Sequence, residues 1–146
     1  MDLELIIFVG LQGSGKTTWY REHFAATHVH VSKDLMPNAR NRDMRQQQQI
    51  EKALAAGHSV VVDNTNPSIE SRAPLIAIGH RHGARVIAIY FEVHIPTSLM
   101  RNRARAGRER VPDVAIFRTK KQLVPPALDE GFDEVRIIPA PATPRQ

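Results

Sequence analysis

"GLQGSGKT", residues 10–17, follows the apolar run "LIIFV" at 5–9 and leads into "TWYREHF" at 18–24. Gly10, Gly15, Lys16 and Thr17 match the pattern G-x-x-x-x-G-K-[ST]. Glycines at these places let the backbone N–H groups wrap a phosphate. The lysine reaches the β- and γ-phosphates, the threonine hydroxyl ligates Mg²⁺, and the helix that follows offers its positive end. A strand before the loop and a helix after it are the context this pattern needs. The stretch therefore points to a nucleoside triphosphate held by its phosphates. ATP is the default, because no guanine-reading N/T-K-x-D follows a strand.

Working outward, strand and helix signals alternate. Leu3 to Val9 is a near-continuous apolar run, as expected of a strand covered on both faces. Lys16 to Ala26 reads as a helix and Val29 to Val31 as a short strand. Met44 to Ala56 reads as a helix, with Ile50, Ala53 and Leu54 on one face and Gly57 as its stop. "SVVVD" at 59–63 is a third strand. Ser71 to His82 reads as a helix capped by Ser71, with Pro74 in its first turn. "RVIAIYFEV" at 85–93 is a fourth strand. Helices follow from Pro96 to Arg105 and from Pro112 to Leu123, and "EVRII" at 134–138 is a last strand. This order predicts one three-layer α/β domain over residues 1–138 with a mostly parallel central sheet: the P-loop kinase type of nucleotide-binding fold, with an arginine-bearing lid. Residues 139–146, "PAPATPRQ", are expected to be a disordered tail.

The bulk numbers agree with a single core. The chain has 146 residues, 42% of them hydrophobic, which leaves no room for two full domains. No apolar run is long enough to span a membrane, and the acidic N-terminus does not read as a signal peptide. There are no cysteines, which excludes disulfides, thiolate metal sites and a cysteine nucleophile, and fits a reducing cytoplasm. The net charge of +5 favours anionic partners, nucleic acid first.

In such folds ligands sit at the carboxyl ends of the strands. Asp34 lies just past the second predicted strand. Its carboxylate is placed either to take a proton from an acceptor hydroxyl or to cap the next helix. Asp63 closes "SVVVDNTN", where a carboxylate meets Mg²⁺ or its waters, or simply makes a turn. "RNRARAGRER" at 101–110 holds five arginines. It reads as a lid that neutralises charge on the triphosphate, as a track for a nucleic-acid backbone, or as a solvated basic face. The seven histidines show no metal-ligand spacing, and Trp19 and Tyr20 read as packing residues.

Together these residues resemble the 5′-hydroxyl polynucleotide kinase family, over about Ile6 to Ile138. The resemblance is carried by "GLQGSGKTTW", "VSKD", "VVVDNTNPSIESR", "RNRAR…RVP" and "FRTKKQLVPPALDEGFDEV". It implies ATP and Mg²⁺ as cofactors and transfer of the γ-phosphate to a 5′-OH end. Asp34 matches the general base. The catalytic set it implies is Lys16, Asp34, Asp63 and Arg105, with Thr17 and Asp63 at the metal. ATP contacts are expected at Gly10, Gln12, Gly13, Ser14, Gly15, Lys16, Thr17 and Thr18, and from Arg101 and Arg105. Acceptor contacts are expected at Asp34, Arg40, Arg42, Asn64, Asn66 and Arg72. Pro37 departs from the pattern, because some members of the family carry an acceptor-gripping arginine there; Arg40, Arg42 or Arg45 is the candidate substitute. No phosphatase D-x-D-x-T motif occurs, so a separate 3′-phosphatase or ligase is the implied partner. A P-loop kinase for a nucleoside or other small hydroxyl compound shares the loop, the base and the lid, and stays open. A non-catalytic ATP-binding module would have no need of Lys16, Asp34 and Asp63 together.

Overall fold

The computed structural model describes residues 2–36, 40–105 and 110–140. Five parallel strands form one sheet in the order β2-β3-β1-β4-β5: β1 Glu4–Val9, β2 Val29–Val31, β3 Val60–Val62, β4 Arg85–Phe91 and β5 Glu134–Ile138. Among the described residues five α-helices connect them: α1 Lys16–His23, α2 Arg42–Ala55, α3 Ile69–Arg81, α4 Ile95–Ala104 and α5 Asp113–Gln122.

β1 takes the centre because its residues are apolar on both sides. Leu5, Ile7 and Val9 share a core with Val60, Val62, Ile50, Leu54, Leu75 and Ile78, between the sheet and α2 and α3. Ile6 and Phe8 point the other way, into a core with Val61, Ile87, Ile89 and Tyr20 of α1. Burying one such side chain stabilises by about 1.5–3 kcal/mol, so a strand apolar on both faces has no favourable place at an edge. The edges go to β2, three residues long, and β5, which leaves Ile137 exposed. The predicted layers, strand order of appearance and parallel sheet all match this architecture.

The helix boundaries differ in places. α1 stops at His23 instead of Ala26, and Phe24 N–H bonds back to Tyr20 O. α2 starts two residues earlier than expected, after Asn41 in the left-handed region. The largest shift is in α3, whose cap is Ser68 and not Ser71. Ser71 N–H donates to Ser68 Oγ at 3.0 Å, and Ser68 N–H donates to Ser71 Oγ at 3.1 Å. A reciprocal pair satisfies two orphan donors, and Ser71 capping alone satisfies one. Pro74 consequently lies inside the helix, where it removes the bond to the Glu70 carbonyl. Among the described residues no helix is long and apolar enough to cross a membrane. Residues 141–146 of the expected tail lie outside the described residues.

Candidate active site

The phosphate loop joins β1 to α1 and is fixed from several sides. Gly10 N–H donates to Thr65 O at 3.0 Å, which ties the loop to the segment after β3. Gly13 and Gly15 have φ of +73° and +90°, a region that L side chains rarely adopt. A Cβ on Gly13 would lie 2.5 Å from Ser98 O of α4, and one on Gly15 would lie 2.6 Å from Arg101 Nη1. The glycines thus let α4 rest on the loop and bring the Arg101 guanidinium over the start of α1. Ser14 and Arg101 line a small cavity with Phe91, His94 and Pro139. Gln12 reaches the other way: its Nε2 donates to Thr119 Oγ1 of α5 at 3.0 Å. Thr119 in turn donates to Ala115 O. Gln12 Oε1 is buried and has no partner among the described residues.

Lys16 is buried beneath the loop. Its Nζ donates to Leu11 O at 2.6 Å and to Gly10 O at 3.1 Å. Burial pushes its pKa down to about 8, with Arg105 adding to the fall and Asp63 and Asp34 opposing it. A lysine with its pKa lowered on folding makes the unfolded chain the better proton binder between about pH 8 and 10.5. This contribution to stability therefore improves as pH rises through that window.

Beside Lys16, Thr17 Oγ1 donates to Asp63 Oδ2 at 2.8 Å. His30 Nε2 lies 2.9 Å from the same oxygen and donates to it. Tyr20 stacks on the His30 ring, 4.1 Å away at 16°, and fixes its plane. Burial alone would raise the Asp63 pKa; the His30 hydrogen bond, the Lys16 charge and the Thr17 hydroxyl outweigh it and hold the carboxyl below its ordinary range. Asp63 is thus an anion at neutral pH. Thr17 and Asp63 offer two adjacent hard oxygen ligands. Among the described residues no three His, Cys, Asp or Glu side chains gather to hold an ion, so these two suit a cation that takes its remaining oxygens from phosphate and water.

Asp34 sits in a 3-10 turn, residues 33–35, after β2. Ser32 Oγ accepts from Asp34 N–H at 3.2 Å and caps that turn. Asn64 braces it from below: its Oδ1 accepts from Lys33 N–H at 2.9 Å, and its Nδ2 donates to Gln46 Oε1 of α2. The Asp34 carboxylate is exposed into a cleft of about 1210 Å³. Thr17, Thr18 and Arg105 line the same cleft, as do Arg21, Lys33 and Arg42 on its basic part. Leu35 and Met44 add an apolar part and are 62% and 53% exposed.

Eight of the expected residues line this cleft: Gln12, Thr17, Thr18, Asp34, Arg42, Asn64, Asn66 and Arg105. Arg42 lines the cleft, whereas Arg40 is exposed outside its lining. Asn64 and Asn66 also line it, but Asn66 Nδ2 donates to Phe8 O at 2.8 Å. Arg72 requires correction. It was expected at the acceptor, yet it is fully buried. Its Nε and Nη2 donate to the two Glu130 carboxylate oxygens at 2.8 and 2.9 Å, and its Nη1 donates to Asn66 O and Val124 O. No face of the guanidinium is left for a ligand. Pro37, and residues 106–109 of the arginine segment, lie outside the described residues. Pattern reading missed His30, Arg21 and Thr119. Only Arg21 had a signal, since it lies one turn after Thr17 on a helix.

Residues 5–126 match the AAA domain family, and the chain belongs to it. It is 28% identical over 140 residues to the bifunctional polynucleotide phosphatase/kinase of Schizosaccharomyces pombe, covering 93% of this chain and 33% of that protein. The chain spans about a third of the length of the curated relatives it matches. Among solved structures it is similar to Kti12 of Chaetomium thermophilum in complex with ADP-AlF3, with a TM-score of 0.76, 16% identity, and coverage of 92% of this chain and 88% of that one. It is also similar to a fungal RNA kinase, with a TM-score of 0.69, 16% identity, and coverage of 99% and 78%. These likenesses establish the three-layer P-loop fold, and the relative found by sequence is of the kind the motifs resemble.

Proposed function

We propose that this protein is an ATP-dependent polynucleotide 5′-hydroxyl kinase. The observation that carries the reading is the single cleft in which Asp34, the Thr17 end of the phosphate loop, the exposed Arg21 and Arg42, and the half-buried Lys33 paired with Asp43 meet. Its volume of about 1210 Å³ exceeds the roughly 300–1,000 Å³ of a site for one small ligand, and leaves room for a donor phosphate and an acceptor nucleotide. Arg21, Lys33 and Arg42 suit acceptor phosphates, with Arg42 the replacement for the arginine missing at Pro37. Leu35 and Met44 suit the apolar face of a base or sugar. The polynucleotide kinase named in the relative supports the same acceptor.

The reaction is an in-line displacement. The acceptor 5′-oxygen bonds to the γ-phosphorus, the bond to the β–γ bridging oxygen breaks, and ADP leaves with that electron pair. Asp34 accepts the hydroxyl proton. Lys16 exchanges its loop carbonyls for β- and γ-oxygens, and Arg101 and Arg105 face the charge that develops. Thr17 and Asp63 would hold Mg²⁺, and the ion neutralises charge on the phosphates when bound. Asn64 keeps the Asp34 turn in register with β3. A phosphatase module works beside this one, as the phosphatase activity named in the relative suggests.

Two measurements follow. Phosphate beside Lys16 favours its charged form and opposes the lowering by burial, so ATP binding at pH 8 is expected to take up protons. Calorimetry in buffers of different ionisation heat reads this uptake; none at pH 8 would mean that Lys16 does not change partners. Second, three phosphate contacts predict that log K for a single-stranded 5′-OH oligonucleotide falls with log salt at a slope of about −2. Arg42→Ala should lower the slope by about 0.7. Salt-independent binding, or affinity for nucleosides alone, would point to a small-molecule acceptor.

A further inference from the structure

α4 ends at Ala104, Arg105 follows it, and Val111, just before α5, meets Asn102 in the last turn of α4. One side chain makes this junction. Asn102 is fully buried. Its Nδ2 donates to Val111 O at 2.6 Å, and its Oδ1 accepts from Val111 N–H at 2.9 Å. Both ends of the amide are therefore spent on one backbone residue across the arginine segment. Arg105 N–H donates to Asn102 O at 3.1 Å on the outgoing side. Arg103 and Asp113 pair at 3.2 Å outside the clasp, but both are exposed, and such pairs hold little.

Both stems also rest on the phosphate loop. α4 touches it where Ser98 O meets Gly13 and Arg101 meets Gly15. α5 touches it where Thr119 accepts from Gln12. Both stems are thus referenced to the loop, and Asn102 sets where they meet. A cation aimed at developing charge helps most when its geometry is fixed beforehand.

We propose that Asn102 is a positioning residue whose clasp on Val111 presets Arg105 over the cleft, so that this arginine is carried by the phosphate loop. The proposal rests on the reading of Arg105 as a phosphate contact.

The test is a double-mutant cycle on kcat with Arg105→Ala and Asn102→Asp. Asn102→Asp keeps the size and replaces the donor facing Val111 O with an acceptor. It is expected to lower kcat at least about tenfold, with the KM values for ATP and acceptor nearly unchanged. In the Arg105→Ala background it should add less than about twofold, because the clasp acts through that arginine. Val111→Pro removes the Val111 N–H and leaves the Asn102 side chain in place, while also exchanging the valine side chain and fixing φ near about −65°. It should repeat the pattern, and it carries the test if Asn102→Asp does not fold. An equal loss of kcat with and without Arg105 overturns the proposal, as does a wild-type kcat in both clasp variants. A wild-type kcat in Arg105→Ala removes the phosphate role of Arg105 and overturns the proposal with it, an outcome distinct from additivity.

Discussion

Asp34→Asn is expected to lower kcat by about 10²–10⁴-fold and to leave ATP affinity unchanged. The turn that carries Asp34 is held by its backbone: the N–H bonds to Ser32 Oγ, and the preceding Lys33 N–H bonds to Asn64. Asparagine keeps those bonds and the side-chain size. It cannot take the proton from an attacking hydroxyl. Lys16, Thr17 and Asp63 do not depend on it for position, since their side chains bond to the loop, to each other and to His30. The defect should therefore fall on the chemical step, read as single-turnover transfer beside direct nucleotide titration. Wild-type kcat in this variant would make Asp34 a turn residue and leave the proton without a named acceptor.

Arg72→Ala is expected to destabilise the fold by about 3–5 kcal/mol, the range for removing one partner of a buried ion pair. The Glu130 side chain, 4% exposed beside Arg72, loses its countercharge, and the Asn66 and Val124 carbonyls lose their donor. In a chain of this size the thermal midpoint should fall by about 10 °C or more. By contrast, removing the exposed Arg85–Glu134 pair should change stability by less than about 1 kcal/mol. The larger effect has a functional side. Arg72 fixes the Asn66 carbonyl, Asn66 bonds to Phe8 of β1, and neighbouring Thr65 accepts from Gly10 of the phosphate loop. A midpoint within about 2 °C of wild type would show that the buried pair is not the clamp this network describes.

The same arginine marks where the sequence stops being legible. Strands β1, β3 and β4 announce themselves through continuous apolar runs, because a central parallel strand is covered on both faces. The phosphate loop announces itself because its chemistry lies in consecutive residues. Asp34 and Asp63 follow from the rule that ligands sit at strand ends. Arg72 sits in a motif beside them and by sequence reads as a ligand contact, yet its partner Glu130 is 58 residues away. Local spacing carries no record of such a partner. His30 reaches Asp63 across 33 residues and Gln12 reaches Thr119 across 107, so neither had a pattern to betray it. The cap of α3 failed for another reason. Ser68 and Ser71 both suit an N-cap, and only their reciprocal bonds decide between them.

The central claim is that the γ-phosphate goes to a nucleic-acid end. The most direct test is transfer of ³²P from γ-labelled ATP, with Mg²⁺, to a 5′-OH oligonucleotide set beside a panel of nucleosides and small hydroxyl compounds. Label on the oligonucleotide, lost in Asp34→Asn, is the predicted result. Label confined to the small molecules, with none on the oligonucleotide, would contradict it.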